Sequence, residues 1–354
     1  MNRRSFMLGC ATALSFAGGA WAQPARRRTP LIFDAMGELR TTYDRALITE
    51  MKQSGLDAIT LTLCDPKTVG PRAFEEAVAA IREHDRFVAA NSDLLLFATS
   101  ASDIDRARES GRIAVFYYFQ NTEPFGADLD NVALFHRLGI RSCQLTYNFQ
   151  NRAGSGSREP AGNGISVFGR QLVERMNRER MLIDLSHANM KTMADAIAAS
   201  SAPVIVSHTG CTGVYENYRN TTDENLRALA DKGGVVGIYQ IRPFLTARPS
   251  NAALPDYFAH IDHAVRTCGA DHVAIGSDRD HRVIVMTEAY LAEVRREEGS
   301  NFHEADWPLF IDELNGPRRM EVVWDGLRRL GYASGDIEKI LGGNLRRLYE
   351  TVIG

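Results

Sequence analysis

The sequence contains one pattern twice, first as Met181-Leu-Ile-Asp-Leu-Ser-His187 and then as Pro203-Val-Ile-Val-Ser-His208. Each copy is a short apolar run that ends in Ser-His, which is typical of a buried parallel strand that presents a side chain at its carboxyl end. Residues 188–202 between the copies have a helical pattern, so the segment predicts a strand-helix-strand unit. His187 and His208 would then lie side by side at one rim of the sheet, where two imidazoles can share a metal ion. The alternative is that both are buried structural histidines.

The rest of the chain continues this alternation of strands and helices, with no linker long enough to divide it. Apolar runs predict strands at 31–33, 58–63, 113–119, 141–146, 181–187, 203–208, 234–239 and 273–276. Helical patterns occupy 42–54, 71–84, 102–109 and 129–138, and a closing helical segment starts within 337–344. Residues 147–164 and 246–255 are predicted rim loops. Length alone allows one barrel or two smaller domains. Eight strands with helices between them favour a single-domain α/β fold, a (β/α)8 TIM-type barrel with its chemistry at the strand carboxyl ends.

Composition and charge exclude several classes of protein. The 354 residues are 44% hydrophobic and 24% charged, with a formal net charge of −3, as in an ordinary globular enzyme. There is no basic excess that would indicate a nucleic-acid partner. Beyond Cys10, the cysteines are Cys64, Cys143, Cys211 and Cys268, none of them in a C-x-x-C arrangement. A disulfide framework is therefore not expected.

The amino terminus predicts an exported protein. Asn2-Arg3-Arg4-Ser5-Phe6-Met7 has the form of a twin-arginine start, an apolar stretch follows, and Ala20-Trp21-Ala22 is a small-x-small cleavage site. We expect residues 1–22 to be a twin-arginine signal peptide, 23–30 a short basic tether and 31–354 the barrel, located in the bacterial periplasm. The apolar stretch is too short and too rich in glycine for a stable transmembrane span, with an uncleaved anchor as the alternative.

Several further motifs follow one another in an order that is specific to one family. They are Gly139-Ile-Arg141 with Leu145-Thr146, Phe168-Gly169-Arg170, Met176-Asn177, Arg219-Asn220 with Asp223, Gly233-Gly234-Val-Val, His260-Ile-Asp-His263, Gly276-Ser-Asp278-Arg-Asp280 and Leu341-Gly-Gly-Asn-Leu-Arg346. Together with the two Ser-His segments, they make most of the mature chain resemble the membrane dipeptidases, also called renal dipeptidases, within the metal-dependent amidohydrolase barrels. The resemblance implies a barrel that hydrolyses dipeptides at a binuclear zinc site.

Four residues of this sequence match the family at its active site. By the resemblance, His187 and His208 correspond to the two histidines of one zinc ion, and Arg219 to the arginine that holds the substrate. Asp278 corresponds to the aspartate that orients the metal-bound water. The resemblance therefore implies a metal-binding, catalytic role for Asp278 and a substrate-binding role for Arg219.

Four other positions of the active site depart from the family. The opening motif of the family, Asp-Gly-His-x-Asp, reads Asp34-Ala-Met-Gly-Glu38 here. Met36 therefore replaces a ligand histidine with a thioether, a poor zinc ligand, while Glu38 keeps a carboxylate that could reach a metal. Gln120 stands where a glutamate bridges both zinc ions, and an amide cannot supply that negative charge. Tyr147 stands where a histidine steadies the reaction intermediate, so it is expected to contact substrate and to act in catalysis as a donor.

These departures predict a reduced metal site. Glu38 and Asp278 are two carboxylates where the family offers three, so two adjacent dications would be under-neutralised. We expect one Zn²⁺ on His187 and His208, completed by Asp278 or Gln120 and an open position for water. A second zinc ion is the alternative.

Three functions remain open at this point. The first is an exported zinc-dependent, dipeptidase-like hydrolase acting on a dipeptide or another small amide. The second is a tailoring enzyme on the same barrel that modifies an exported peptide metabolite by another reaction. The third is a metal-depleted binding protein without catalysis. The expected partner is a small peptide or amide, and a homodimer is left open. His260 and His263 are expected to be structural, and Glu123 is expected to be an ordinary loop residue, with a displaced ligand carboxylate as the alternative.

Overall fold

The computed structural model describes residues 29–160, 162–298 and 303–354. The predicted signal peptide and nearly all of the predicted tether lie outside these residues. The strands are β1 Ile32–Gly37, β2 Leu56–Thr62, β3 Leu95–Ala98, β4 Ile113–Phe119, β5 Ile140–Gln144, β6 Leu182–Asp184, β7 Ile205–Thr209, β8 Val235–Ile238 and β9 Val273–Ile275. The helices are α1 Arg45–Gln53, α2 Pro71–Ala90, α3 Ser102–Glu109, α4 Asp130–Arg137, α5 Val167–Arg178, α6 Met190–Ala199, α7 Asp223–Asp231, α8 Arg242–Leu245, α9 Leu254–Cys268, α10 Glu288–Glu298, α11 Arg319–Arg329, α12 Ser334–Glu338 and α13 Asn344–Val352.

Eight of these strands form a parallel barrel in the order β1-β2-β4-β5-β6-β7-β8-β9. Two backbone hydrogen bonds join β1 to the segment that follows β9. Asp278 N donates to Met36 O (2.8 Å), and Glu38 N donates to Arg279 O (3.2 Å). With helices between the strands, this arrangement confirms the predicted (β/α)8 TIM-type barrel.

The short strand β3 is an addition that the sequence did not predict. It pairs with the first half of β4, from Leu95 opposite Ile113 to Ala98 opposite Phe116, while β5 pairs with the second half. Gly139, just before β5, has a φ of +101°, and a Cβ there would lie 2.3 Å from the ring of Phe97. Glycine is therefore required where β5 begins beside β3. The carboxyl ends of the strands are unaffected by this insertion.

Helix α13 closes the barrel interior from one side. The ring of Tyr349 lies edge-on to Phe33 and Phe116, with centroids 5.0 Å and 4.8 Å away. Its hydroxyl lies 2.6 Å from the hydroxyl of Thr60. All residues of β4 are buried, as expected of a strand that is covered on both faces.

Side-chain caps set the start of several helices. The Asp44 carboxylate accepts from Leu47 N (2.8 Å), so α1 starts at Arg45 rather than at the predicted residue 42. The Asn189 side chain accepts from Thr192 N (2.8 Å), so α6 starts at Met190, directly after the first Ser-His segment. Helix α3 has the predicted bounds. In the part of the chain described, no helix combines the length and apolar character needed to cross a bilayer.

Candidate active site

The register of two neighbouring strands brings the two Ser-His histidines together. Asp184 in β6 pairs with Ile205 in β7, and each histidine lies at the same offset beyond this pair. The rings of His187 and His208 meet edge to face, with centroids 5.0 Å apart and an interplanar angle of 66°. His187 has a φ of +61°, a left-handed conformation that is uncommon outside glycine and recurs at functional sites. The strand-helix-strand unit and its adjacent imidazoles are thus present as predicted.

One nitrogen of each ring contacts a neighbouring oxygen. Nδ1 of His208 lies 2.8 Å from Ser207 Oγ, and Nδ1 of His187 lies 2.7 Å from Asn148 Oδ1. Nε2 of His208 is buried and has no hydrogen-bond partner among the described residues. A buried nitrogen without a partner is costly, which indicates a site built for a ligand.

The surroundings of the imidazole pair keep both rings neutral. Burial lowers the pKa of His187 and of His208 well below the ordinary histidine value, and the nearby positive charge of Arg219 lowers both further. The neutral imidazole is the form that coordinates metal ions.

Arg219 lies at the same rim and is itself buried. Its side chain is only 4% exposed, and its guanidinium carbon lies 5.9 Å from the ring centroid of Tyr239. Thr209 Oγ1 donates to the backbone oxygen of Arg219 (3.0 Å), which ties this loop to the end of β7. Within the described chain, Nη2 of Arg219 has no hydrogen-bond partner. A buried cation with an unused donor is suited to an anionic group such as a carboxylate.

Asp278 follows β9, which lies two strands from β7 in the barrel. It has a φ of +53°, so it shares with His187 the left-handed backbone conformation. Burial raises the pKa of its carboxyl group to about 7, Arg219 opposes this rise, and the negative charge of Glu38 adds to it. A carboxyl group that titrates near neutral pH can accept and release a proton under physiological conditions.

Three residues stand where the family resemblance expects metal ligands, namely Met36, Glu38 and Gln120. Met36 is buried, at 2% exposure. Nε of Arg40 lies 2.5 Å from the Glu38 carboxylate, whose side chain is 28% exposed. Gln120 is buried, and its backbone oxygen accepts from Gln144 Nε2 (2.8 Å). The roles of Glu38 and Gln120 as metal ligands stay predictions.

Tyr147 connects the imidazole pair to a cleft. Its ring stacks on His187 with centroids 4.3 Å apart and an interplanar angle of 25°. The cleft has a volume of about 340 Å³. Its lining consists of Pro66, Lys67, Val69, Asn121, Glu123, Tyr147, Asn148, Phe149, Gln150, Asn151 and Arg158. Because Tyr147 and Asn148 contact His187 directly, the cleft adjoins the imidazole pair.

The donor set around the imidazole pair is small. In residues 29–160, 162–298 and 303–354, no three His, Cys, Asp or Glu side chains form a cluster that could hold a metal ion. The buried, unpartnered Nε2 of His208 nevertheless fits one metal ligand, and the adjacent ring of His187 fits a second. The protein groups therefore fit part of the coordination shell of one ion.

His260 and His263, which the sequence predicts to be structural, each contact other parts of the chain. Nδ1 of His260 accepts from Cys211 N (2.9 Å), and its Nε2 lies 3.0 Å from Leu245 O. Nε2 of His263 lies 2.7 Å from a carboxylate oxygen of Asp223. Both therefore have protein partners away from the imidazole pair.

Several residues of the site were missed by the reasoning from sequence. Asn148, Ser207 and Asp184 contact the imidazoles or each other, and Tyr239 lies under Arg219. Asp184 and Ser207 belong to the repeated pattern itself, where a polar residue within an apolar run was the available signal. No local signal marked Asn148 or Tyr239, because their roles depend on contacts between distant segments.

Comparison with known proteins gives a match to a family model and matches to several relatives and solved structures. A family model described as membrane dipeptidase, peptidase family M19, matches residues 21–289. An uncharacterized protein of Klebsiella pneumoniae is 33% identical over 204 residues, which are 55% of this chain and 75% of that protein. A dipeptidase of Clonostachys rogersoniana is 31% identical over 266 residues, which are 74% of this chain and 61% of that enzyme. The crystal structure of an amidohydrolase from Pseudomonas aeruginosa superposes with a TM-score of 0.82 at 28% identity, covering 92% of this chain and 97% of that one.

Proposed function

Because the chain belongs to the membrane dipeptidase family, we propose that it is an exported, zinc-dependent hydrolase of a dipeptide or another small amide, working with one metal ion. The observation that carries this proposal is the pairing of two orphaned buried nitrogens at one rim. Nε2 of His208 is suited to a metal ion, and Nη2 of Arg219 is suited to a substrate carboxylate.

His187 and His208 would hold the ion, with Asp278 or the amide of Gln120 and solvent completing its coordination. A zinc ion so bound lowers the pKa of water toward neutrality and polarises a carbonyl oxygen. Buried Met36 offers only a thioether at the position of the lost histidine, and the Glu38 carboxylate is engaged by Arg40. Both features support one ion rather than two.

The substrate would lie between Arg219 and the cleft. The planar guanidinium of Arg219 would pair with the carboxylate of the substrate, and Tyr147 would contact it beside His187. A cleft of about 340 Å³ lies at the small end of ligand pockets, which suits a dipeptide rather than a long peptide. Asp278 would take up the proton that an attacking water releases, since burial favours the protonated form of its carboxyl group.

Export rests on the amino-terminal sequence. Residues 1–22 have the features of a twin-arginine signal peptide, and 23–30 would tether the barrel after cleavage. The site would then act on small peptides in the periplasm.

The test is hydrolysis by the mature protein before and after chelation and reloading with zinc. Alanyl and glycyl dipeptides are incubated with each sample, and all products are identified by mass spectrometry. We expect free amino acids from the zinc-loaded protein and none after chelation or from His208→Ala.

The small donor set favours one other candidate, a binding protein without catalysis. Dipeptide binding by calorimetry with no turnover in any metal state would support that candidate and refute the hydrolase.

A further inference from the structure

Asp184 is a fully buried carboxylate at the end of β6 that receives hydrogen bonds on both oxygens. Oδ1 accepts from Ser186 N (3.0 Å), Ser186 Oγ (2.9 Å) and Ser207 N (2.9 Å). Oδ2 accepts from Ser207 Oγ (2.5 Å) and from the hydroxyl of Tyr118. Since a carboxylate accepts and does not donate, the hydroxyl proton of Ser207 points at Asp184.

The direction of the Ser207 hydroxyl determines the tautomer of His208. With its only proton given to Asp184, Ser207 Oγ can only accept from Nδ1 of His208, 2.8 Å away. A neutral imidazole has one N–H, so a proton on Nδ1 leaves Nε2 with a free lone pair. We propose that Asp184 is a positioning residue that acts through Ser207 to keep the proton of His208 on Nδ1, so that Nε2 presents its lone pair at the barrel rim.

A residue of the rim loop, Asn148, fixes the tautomer of His187 in the same way. Asn148 Oδ1 lies 2.7 Å from Nδ1 of His187, and an amide oxygen only accepts. The backbone oxygen of Asn148 in turn accepts from Arg158 N (2.9 Å), which holds this part of the loop in place. Two separate networks therefore direct Nε2 lone pairs to the same rim before any ligand arrives. Only the last step, in which these lone pairs bind zinc, rests on the proposed function.

The tautomer is read directly from the side-chain nitrogen resonances of ¹⁵N-histidine-labelled, metal-free mature protein. In the unaltered protein we expect His208 to carry its proton on Nδ1. Asp184→Asn preserves shape but directs an N–H group at Ser207 Oγ, which reverses the chain of hydrogen bonds. Ser207 then donates to Nδ1, and the proton of His208 moves to Nε2. A merely structural role for Asp184 would not move the proton between ring nitrogens.

Three serine variants complete the test. Ser207→Ala removes the acceptor and is expected to give a mixture of tautomers, which keeps the test decisive if Asp184→Asn does not fold. Ser207→Thr retains the hydroxyl and should restore the Nδ1 proton. Ser186→Ala is the control within the same network. This equally buried serine donates to Asp184, accepts from His208 N and lies 3.2 Å from Ser207 Oγ, but it does not contact the His208 ring. The tautomer of His208 should not change in this variant.

Zinc affinity provides the second readout. In a titration with Zn²⁺ alone, the zinc affinity of Asp184→Asn and of Ser207→Ala should fall by about 10- to 100-fold. The zinc affinity of Ser186→Ala should not change. Retention of the Nδ1 proton in Asp184→Asn, or an equal change in Ser186→Ala, would overturn the inference. If the tautomers change as expected but the unaltered protein binds no zinc, the positioning role of Asp184 stands and the metal part of the proposed function fails.

Discussion

Arg219 and His208 share one buried corner of the barrel rim, and each has a nitrogen there without a hydrogen-bond partner in the described part of the chain. The guanidinium also lowers the pKa of the imidazole, after burial itself. One residue thus offers a permanent positive charge and the other a neutral electron-pair donor. These are the two kinds of group that a dipeptidase needs for a carboxylate and for a metal ion.

Arg219→Lys tests the carboxylate contact. Lysine keeps the charge but not the planar fork of donors, so we expect kcat/KM for dipeptides to fall about 10- to 100-fold, since a charged hydrogen bond is worth about 1.5–3 kcal/mol. Steady-state kinetics on a dipeptide and on its carboxyl-terminal amide measure the effect. For the amide, kcat/KM should change little on substitution. An equal loss of kcat/KM on both substrates would contradict a carboxylate contact at Arg219.

His260 should make the fold sensitive to acid. Burial lowers its pKa to about 4. The unfolded chain, with an ordinary pKa near 6.5, therefore binds the proton more readily, and stability falls as pH drops from about 6.5 toward 4. The full effect is about 3 kcal/mol.

His260→Gln removes this titration while keeping groups that can accept from Cys211 N and donate to Leu245 O. Urea unfolding at pH 7 and pH 4.5 should show a smaller loss of stability in the variant than in the unaltered protein. The exposed His303→Gln is the matched control and should behave like the unaltered protein. Identical pH dependence in all three proteins would contradict the assignment.

The barrel and the imidazole pair could be predicted from the sequence because both depend on local patterns. Apolar runs ending in Ser-His mark strand ends, and neighbouring parallel strands place such ends together. The strand β3 could not be predicted, because a run of four apolar residues does not distinguish a strand from the end of a helix. The hydrogen bonds that join Asp184 to His208 through Ser207 could not be predicted either, since they depend on a register that brings two segments within 3 Å of each other.

The triple variant Met36→His, Glu38→Asp and Gln120→Glu tests whether the lost ligands alone limit activity. It restores an imidazole, a shorter carboxylate and a bridging anion, so a second zinc should bind at roughly 3.5–4 Å from the first. We expect kcat/KM on dipeptides to rise at least about tenfold, equivalent to roughly 1.4 kcal/mol. Met36→Leu is the control and should change neither quantity. Two bound zinc ions without a gain in activity would mean that the pocket has been reshaped beyond its metal ligands.

Export by the twin-arginine route predicts a strict need for the arginine pair. Arg3→Lys combined with Arg4→Lys should block translocation, because the pathway reads that pair as an address. Cell fractionation with immunoblotting should then find the unprocessed chain inside the cell. Continued accumulation of mature protein in the periplasm would remove this proposal without affecting the site.

If His187 and His208 hold one metal ion per chain, elemental analysis of the mature protein should find it. The protein is purified without added metal, loaded with excess zinc and freed of weakly bound ions before measurement. We expect about one zinc ion per chain. His187→Ala and His208→Ala should retain none, while His263→Ala, whose ring contacts Asp223 instead, should retain it. Two tightly bound zinc ions, or equal metal loss in all three variants, would contradict a single metal ion held by His187 and His208.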